Sequence, residues 1–367
     1  MRIAFLHRSH DVYAYTRASY FIQRGHEVYS LSLSKNNCHS APDGLIQFSL
    51  NTSSIFLPHI FDRFIHLWGI QRFLKHYCID VLHIIGMLNC FYLPFCHSWK
   101  TILENKGSEI LITPSVYPVF KLVYKVFYKF CDFVIQDSLL TKNAGILYGA
   151  PRNNNLVIEV GIDMNIFNPK VEVGEARKEL DLEERQPIIF CSRGFSDLYN
   201  SDIILRAIPD VSRRFPEVKF VFASLLGGFE LKYESLIEEL RISENLLVID
   251  PVDRKTKLPF YYKDADAVIS IPSSDSSPAS VYESIACKTP VIISDLPWYQ
   301  GKFEKDRDVV VVPVRDVDKL INAIIGILSG EKTVNVDSAY EKVFRDINYE
   351  SENRKLERLY EKILAIS

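Results

Sequence analysis

Two doubly wound α/β domains, each a parallel sheet covered on both faces by helices, are what this sequence predicts. Three observations lead there. Short apolar runs of strand length alternate with helical segments along most of the chain, the pattern of repeated strand–helix–strand units. The chain has 367 residues, more than one hydrophobic core ordinarily organises. A charged, glutamate-rich stretch over residues 170–186, ending at Pro187, separates two such series and reads as a linker with room for one short helix.

In the first series, residues 2–7 form an apolar strand. A helix runs through 18–23 and stops at Gly25, where a positive φ suits a helix end, and 27–33 form the second strand. Residues 80–85, 110–113, 133–136 and 156–159 supply further strands of that sheet. The second series takes strands at 188–191, 219–223, 246–249, 267–271, 291–294 and 309–312. Residues 340–366 keep a helical pattern. The expected organisation is a first domain over 1–169, the linker over 170–186, a second domain over 187–339 and a helical segment over 340–367.

Composition excludes several classes. With 47% apolar and 24% charged residues the chain is of soluble globular type, and a formal charge of −3 carries no nucleic-acid signal. The charge is uneven, since residues 1–150 hold 14 Lys/Arg against 9 Asp/Glu. Seven cysteines, an odd number without a Cys-x-x-Cys pair, point to reduced thiols. The amino terminus passes directly into a strand instead of a signal-peptide core, and Lys121, Lys125 and Lys129 interrupt the longest candidate for a membrane span. A cytoplasmic protein is expected. Gly25 is the only glycine in the first forty residues, so the Gly-x-Gly-x-x-Gly of nicotinamide enzymes is absent, as is a Gly-x-x-x-x-Gly-Lys-Ser/Thr loop. His7 and His10 have the spacing of a metal pair but no further ligands, so no metal is expected.

The most specific segment is Asp275-Ser-Ser-Pro-Ala-Ser-Val-Tyr-Glu283, between the strand at 267–271 and a helix over 281–288. Asp275 falls in a strand-to-helix loop and Glu283 in a first helical turn. At the carboxyl end of a parallel strand such a loop faces the ligand crevice, where helix-start amides favour anions. Ser280-Val-Tyr-Glu283 also fits a capping box, in which both side chains merely satisfy helix-start amides. Residue pattern alone leaves both readings open.

The Asp-x7-Glu spacing followed by Ser-Ile-Ala-Cys-x-x-Pro-Val-Ile resembles the Glu-x7-Glu signature of the family 4 retaining glycosyltransferases, which have the GT-B fold. Val160-Gly-Ile-Asp-Met-Asn-Ile-Phe-Asn-Pro169, Ile188-Ile-Phe-Cys-Ser-Arg-Gly194 and Phe260-Tyr-Tyr-Lys-Asp-Ala-Asp-Ala-Val268 resemble further family segments in the family's order. The resemblance implies two Rossmann-like domains facing across a cleft, a final helix crossing back to the first, and transfer of a sugar with retention from a UDP-, GDP- or other nucleotide-diphosphate sugar. The acceptor would be a glycan or lipid-linked hydroxyl, the setting bacterial surface polysaccharide or lipopolysaccharide synthesis, and no cofactor would be needed. By resemblance Arg193 meets the donor diphosphate, Asp275 with Ser276 and Ser277 the sugar and phosphates, and Glu283 the ribose. The other readings are a catalytically silent nucleotide-sugar-binding partner subunit and a different GT-B reaction, epimerisation or phosphorolysis.

Departures from the family pattern matter as well. Asp275 is one methylene shorter than Glu. Where relatives carry a second phosphate-binding cation, a lysine, this chain has Leu198, Tyr199 and Asn200, and Asn200 joins the donor-binding candidates. Lys288 replaces a glycine, and His7-Arg-Ser-His-Asp11 replaces a Gly-rich loop. The strand at 110–113 leads into Pro114-Ser-Val-Tyr-Pro118, which leaves the family's active-site histidine unplaced. His10, after the first strand, is the acceptor-side candidate, against an ordinary loop histidine. Lysines 121, 125 and 129, four residues apart and surrounded by aromatics, suit either a helix lying on an anionic membrane surface or a buried helix with one solvated stripe. The aromatic stretch 55–77, with Arg63, Arg72 and Lys75, is read alongside the first.

Overall fold

The computed structural model describes residues 1–8, 11–33, 41–50, 59–223 and 231–365. It divides into two compact units, Met1–Gly161 with Glu350–Ser367, and Ile162–Tyr349. The segment 160–169 therefore falls almost wholly in the second unit.

The first unit runs β1 (Arg2–His7), α1 (Val12–Gln23), β2 (Glu27–Ser32), β3 (Ile46–Ser49), α2 (His59–His76), β4 (Val81–Ile85), β5 (Lys100–Glu104), α3 (Gly107–Leu111), α4 (Thr113–Val116), α5 (Val119–Phe127), β6 (Phe133–Gln136), α6 (Leu139–Leu147) and β7 (Asn155–Val157). All strand pairings are parallel, in the order β3-β2-β1-β4-β5-β6-β7. β4 is buried at all five positions, as a strand covered on both faces must be. Asp11 starts α1 by accepting from the amides of Tyr13 and Ala14 at 3.1 and 3.3 Å.

The strand expected at 110–113 is not one. Those residues span the end of α3, Ile112 between the helices and the start of α4, and the place in the sheet between β4 and β6 belongs to β5. Pro114 sits in the first turn of α4, where its missing amide hydrogen has no intrahelical partner to lose. β5 escapes a hydropathy reading because it carries Lys100, Thr101 and Glu104, yet Glu104 is buried.

The second unit runs α7 (Glu175–Glu179), β8 (Ile188–Cys191), α8 (Ser201–Arg214), β9 (Lys219–Ala223), α9 (Leu231–Leu240), β10 (Leu246–Ile249), α10 (Leu258–Asp264), β11 (Ala267–Ser270), α11 (Ala279–Ala286), β12 (Val291–Ser294), β13 (Val310–Val312), α12 (Val317–Leu328) and α13 (Val336–Asp346). Its parallel sheet has the order β10-β9-β8-β11-β12-β13. Apolar clusters cover both faces, one around Phe190, Tyr262 and Ile293, the other around Ile189, Leu205 and Phe220.

The last helix, α14 (Tyr349–Ala365), belongs to the first unit. Arg17 on α1 is fully buried and donates to both carboxylate oxygens of Glu104, at 2.8 and 2.9 Å. Its remaining donors reach the carbonyl of Ile158 at 3.1 Å and Oδ1 of Asn353 on α14 at 3.3 Å. Tyr360 adds a stacked contact with Phe21, centroids 4.9 Å apart, and a hydroxyl 2.6 Å from Nδ1 of His83. Burial works against the Glu104 charge, but Arg17 and His83 outweigh it and hold the carboxyl at about 2.

Candidate functional site

In the second sheet the chain leaves β8 towards β9 on one side and returns to β11 on the other, so the carboxyl ends of β8 and β11 form the topological switch point, where α/β sheets bind ligands. Arg193 follows β8 and Asp275 follows β11, and their side chains pair there directly. The Arg193 guanidinium also lies 4.3 Å from the ring centroid of Tyr199. Burial works against its charge, and the neighbouring Asp275 carboxylate overcomes this and raises its pKa. A guanidinium held by one carboxylate and one aromatic face is an anion site in which a phosphate can join or replace the carboxylate.

The backbone amide of Ser276 donates to Asp275 Oδ1 at 2.8 Å, fixing the carboxylate over the loop. Ser276 is buried and Ser277 half-buried. α11 then starts after Pro278, with no side chain capping it. The capping-box reading of Ser280 and Glu283 is therefore corrected. Ser280 lies inside the helix with its hydroxyl unpartnered among the described residues, and Glu283 lies beyond the first turn. The helix begins earlier than the expected 281 because Pro278, at φ −75°, leads directly into it.

Glu283 instead takes part in a side-chain cage. Arg254, in the loop after β10, brings Nε to 2.7 Å and Nη2 to 2.6 Å of Glu283 Oε1, and the Tyr262 hydroxyl donates to Oε2 at 2.9 Å. The Arg254 guanidinium sits 5.4 Å from the ring centroid of Phe167. Sequence reasoning missed Arg254. The signal was a lone arginine beyond a strand end, next to Asp253, whose Oδ1 accepts the amides of Lys255 and Thr256 at 3.1 and 2.8 Å and shapes the loop.

Asn200 is buried, with its amide donating to the Ile271 carbonyl at 2.8 Å and its Oδ1 accepting from Ser273 at 3.0 Å and Arg315 at 2.9 Å. It ties the loop after β8 to the end of β11. The Ala-Asp run works in the same structural way. Asp264 accepts the amides of Gly174, Ala176 and Arg177 at the start of α7, and Asp266 that of Ile188. Lys288 occupies a left-handed position just after α11, φ 59°, where glycine is unstrained, and it pairs with Asp337 at 2.5 Å.

In the first unit His10 lies outside the described residues. The carboxyl edge of that sheet carries Asp11, paired with Lys106 at 2.6 Å, and Glu109, which accepts the Met87 amide at 2.7 Å. Burial pushes the Glu109 carboxyl up. With β5 now placed, the residues that follow it are Asn105 and Lys106, not a histidine. Among the described residues no three His, Cys, Asp or Glu side chains converge as a metal site.

Residues 172–342 match the family model described as glycosyl transferases group 1. The chain is 24% identical over 304 residues to the alpha-monoglucosyldiacylglycerol synthase of Streptococcus pneumoniae, across 78% of this chain and 67% of that one. Among solved structures, sucrose-phosphate synthase from Thermosynechococcus elongatus superposes with a TM-score of 0.81 at 16% identity, covering 100% of both chains. Anabaena HepE in complex with UDP-glucose superposes with a TM-score of 0.79 at 14% identity, over 99% of this chain and 100% of that one.

Proposed function

The chain is a GT4-like glycosyltransferase with the GT-B fold, and on that premise we propose that it moves a sugar with retention from a nucleotide-diphosphate sugar to a glycan or lipid-linked acceptor hydroxyl in surface polysaccharide or glycolipid synthesis. The observation that carries this reading is the pairing of Arg193 and Asp275 at the switch point of the second sheet, with Glu283 on the helix leaving the same loop. The second unit is the donor side and the first the acceptor side.

Departure of a nucleotide diphosphate leaves negative charge on phosphate while the anomeric carbon gains positive character. Arg193 supplies a fixed cationic fork for the phosphates, and as Asp275 turns from Arg193 to the sugar it gives up the Ser276 amide as well, so that the loop amides of Ser276 and Ser277 can turn to the same anion. Asp275, released from Arg193 as phosphate takes the guanidinium, orients the sugar. Glu283 accepts from the ribose. The charge that a metal supplies in other transferases comes here from Arg193, so chelator leaves turnover unchanged. UDP-glucose, the ligand of HepE, is the donor to test first.

A lipid-linked acceptor draws support from α5. Tyr124 is buried, while Lys121 and Lys125 share the exposed surface with Val119, Leu122 and Val126, and Lys129 follows just beyond. Exposed apolar residues among cations favour the membrane-surface reading over a merely solvated stripe. The enzyme would then work as a cytoplasmic, peripheral protein on the inner face of the membrane. No described helix is long and apolar enough to cross one.

The second reading, a nucleotide-sugar binder without transfer, rests on Tyr199, which lies against Arg193 where relatives place a lysine. Incubation with UDP-glucose and a membrane lipid extract separates them. Transfer of labelled sugar into the lipid or glycan fraction supports the enzyme, whereas tight binding without turnover supports the silent subunit.

A further inference from the structure

Trp68, Arg72 and Lys75 follow one another along α2 at a spacing that puts them on one face of the helix, with Gln71 beside them. The Gln71 amide donates to the Phe95 carbonyl at 2.8 Å, which ties this face to the end of the 3₁₀ segment Met87–Phe95 that follows β4. Between the two lies a cavity of about 660 Å³. Its other wall comes from Phe95, His97, Ser98 and Trp99, ahead of β5. All of these residues belong to the first unit, so the cavity is no part of the Arg193 site in the second.

The cations of this cavity have no counter-charge. Among the described residues neither Arg72 nor Lys75 pairs with a carboxylate, whereas Arg193, Arg254 and Lys106 each do. The Arg72 guanidinium lies 5.3 Å from the ring centroid of Trp68, the device that also holds Arg193 against Tyr199. A guanidinium fixed on an aromatic face keeps its N–H edge for an anion. The negative end of the α2 dipole accounts for Lys75 and His76 in the last turn. It does not account for Arg72 before that turn, nor for the tryptophan beside it, left 63% exposed.

We propose that this cavity binds a phosphate ester. Arg72 supplies a fork and Lys75 a point charge for the phosphate, and Phe95 and Trp99 pack against the group that carries it. The same chemistry is offered by a soluble phosphate ester and by the headgroup of an anionic phospholipid. The exposed ring of Trp68 at the rim suits headgroup depth, which makes the lipid the first source to test.

The test is a calorimetric titration of the full-length protein with glycerol phosphate at constant ionic strength. It compares wild type with Arg72→Gln, and with Lys125→Gln as a control that removes the same charge from α5, thermal melting confirming that each is folded. The wild type binds saturably, Arg72→Gln about tenfold or more weakly, and Lys125→Gln and Arg193→Ala as the wild type does. Arg72→Lys, which keeps the charge but not the fork, falls between. Co-sedimentation with phosphatidylglycerol vesicles then identifies the source. Displacement of vesicle-bound protein by glycerol phosphate points to the lipid headgroup, whereas vesicle binding indifferent both to glycerol phosphate and to Arg72→Gln points to a soluble ester. Absence of saturable binding, a loss in Arg72→Gln no greater than in Lys125→Gln, or binding that disappears in Arg193→Ala overturns the proposal.

Discussion

Both units bury arginine–carboxylate pairs, and the pairs differ in what surrounds them. In the first unit Arg17 and Glu104 are 0% and 4% exposed, and the guanidinium is saturated by the carboxylate, a backbone carbonyl and an asparagine of α14. In the second unit Arg193 and Arg254 keep 23% and 28% of their side chains exposed, each held by one carboxylate and lying over an aromatic ring. A saturated, dry pair has no position for a ligand and only stabilises its fold. A half-open pair can exchange a partner for a phosphate or present an acceptor to a hydroxyl. Burial of charge therefore does not mark function by itself. The access left to the cation does.

That contrast breaks most visibly at Glu104. Glu104→Gln strands a buried guanidinium and is expected to lower stability by about 3–5 kcal/mol in a denaturant titration. UDP-sugar binding by the protein that stays folded should be unaltered. Because the Glu104 carboxyl sits at about 2, below its ordinary 4.5, its contribution is complete above about pH 4.5 and is lost as pH falls towards 2. The wild type should therefore lose stability across that window, and Glu104→Gln should show a flatter profile. The next effect belongs to the open site. Glu283→Gln should keep the melting temperature close to that of the wild type yet weaken donor binding by about tenfold or more, measured calorimetrically. Smaller still, Lys125→Ala on α5 should reduce binding to anionic lipid vesicles by about fivefold, with no change towards zwitterionic ones, as co-sedimentation would show. Least of all, Lys288→Gly relieves a left-handed lysine and should raise Tm by about 1–2 °C.

Much of this was legible in the sequence because apolar runs such as 188–191 and 291–294 are strands buried on both faces, which hydropathy reads directly. The acidic loop was legible because its spacing places Asp275 and Glu283 on either side of a helix start. β5 was hidden because its burial rests on a salt bridge from α1, a partner far away in the sequence that no local pattern announces. Glu283 was ambiguous for a related reason, since Ser-x-x-Glu is equally a cap. The helix start at Ala279 and the Arg254 and Tyr262 contacts, from the loop after β10 and from α10, decide against it. β3 was missed as a short edge strand with exposed ends.

On the reading proposed above, the Arg193–Asp275 pair is a nucleotide-sugar donor site. Calorimetric titration of UDP-glucose and of the corresponding GDP-, ADP- and CDP-sugars into the wild type and Arg193→Ala tests it most directly. One nucleotide class should bind, with an affinity that falls about 100-fold or more in the variant while the melting temperature barely moves. Binding of equal strength in both proteins, or none in the wild type, would contradict it.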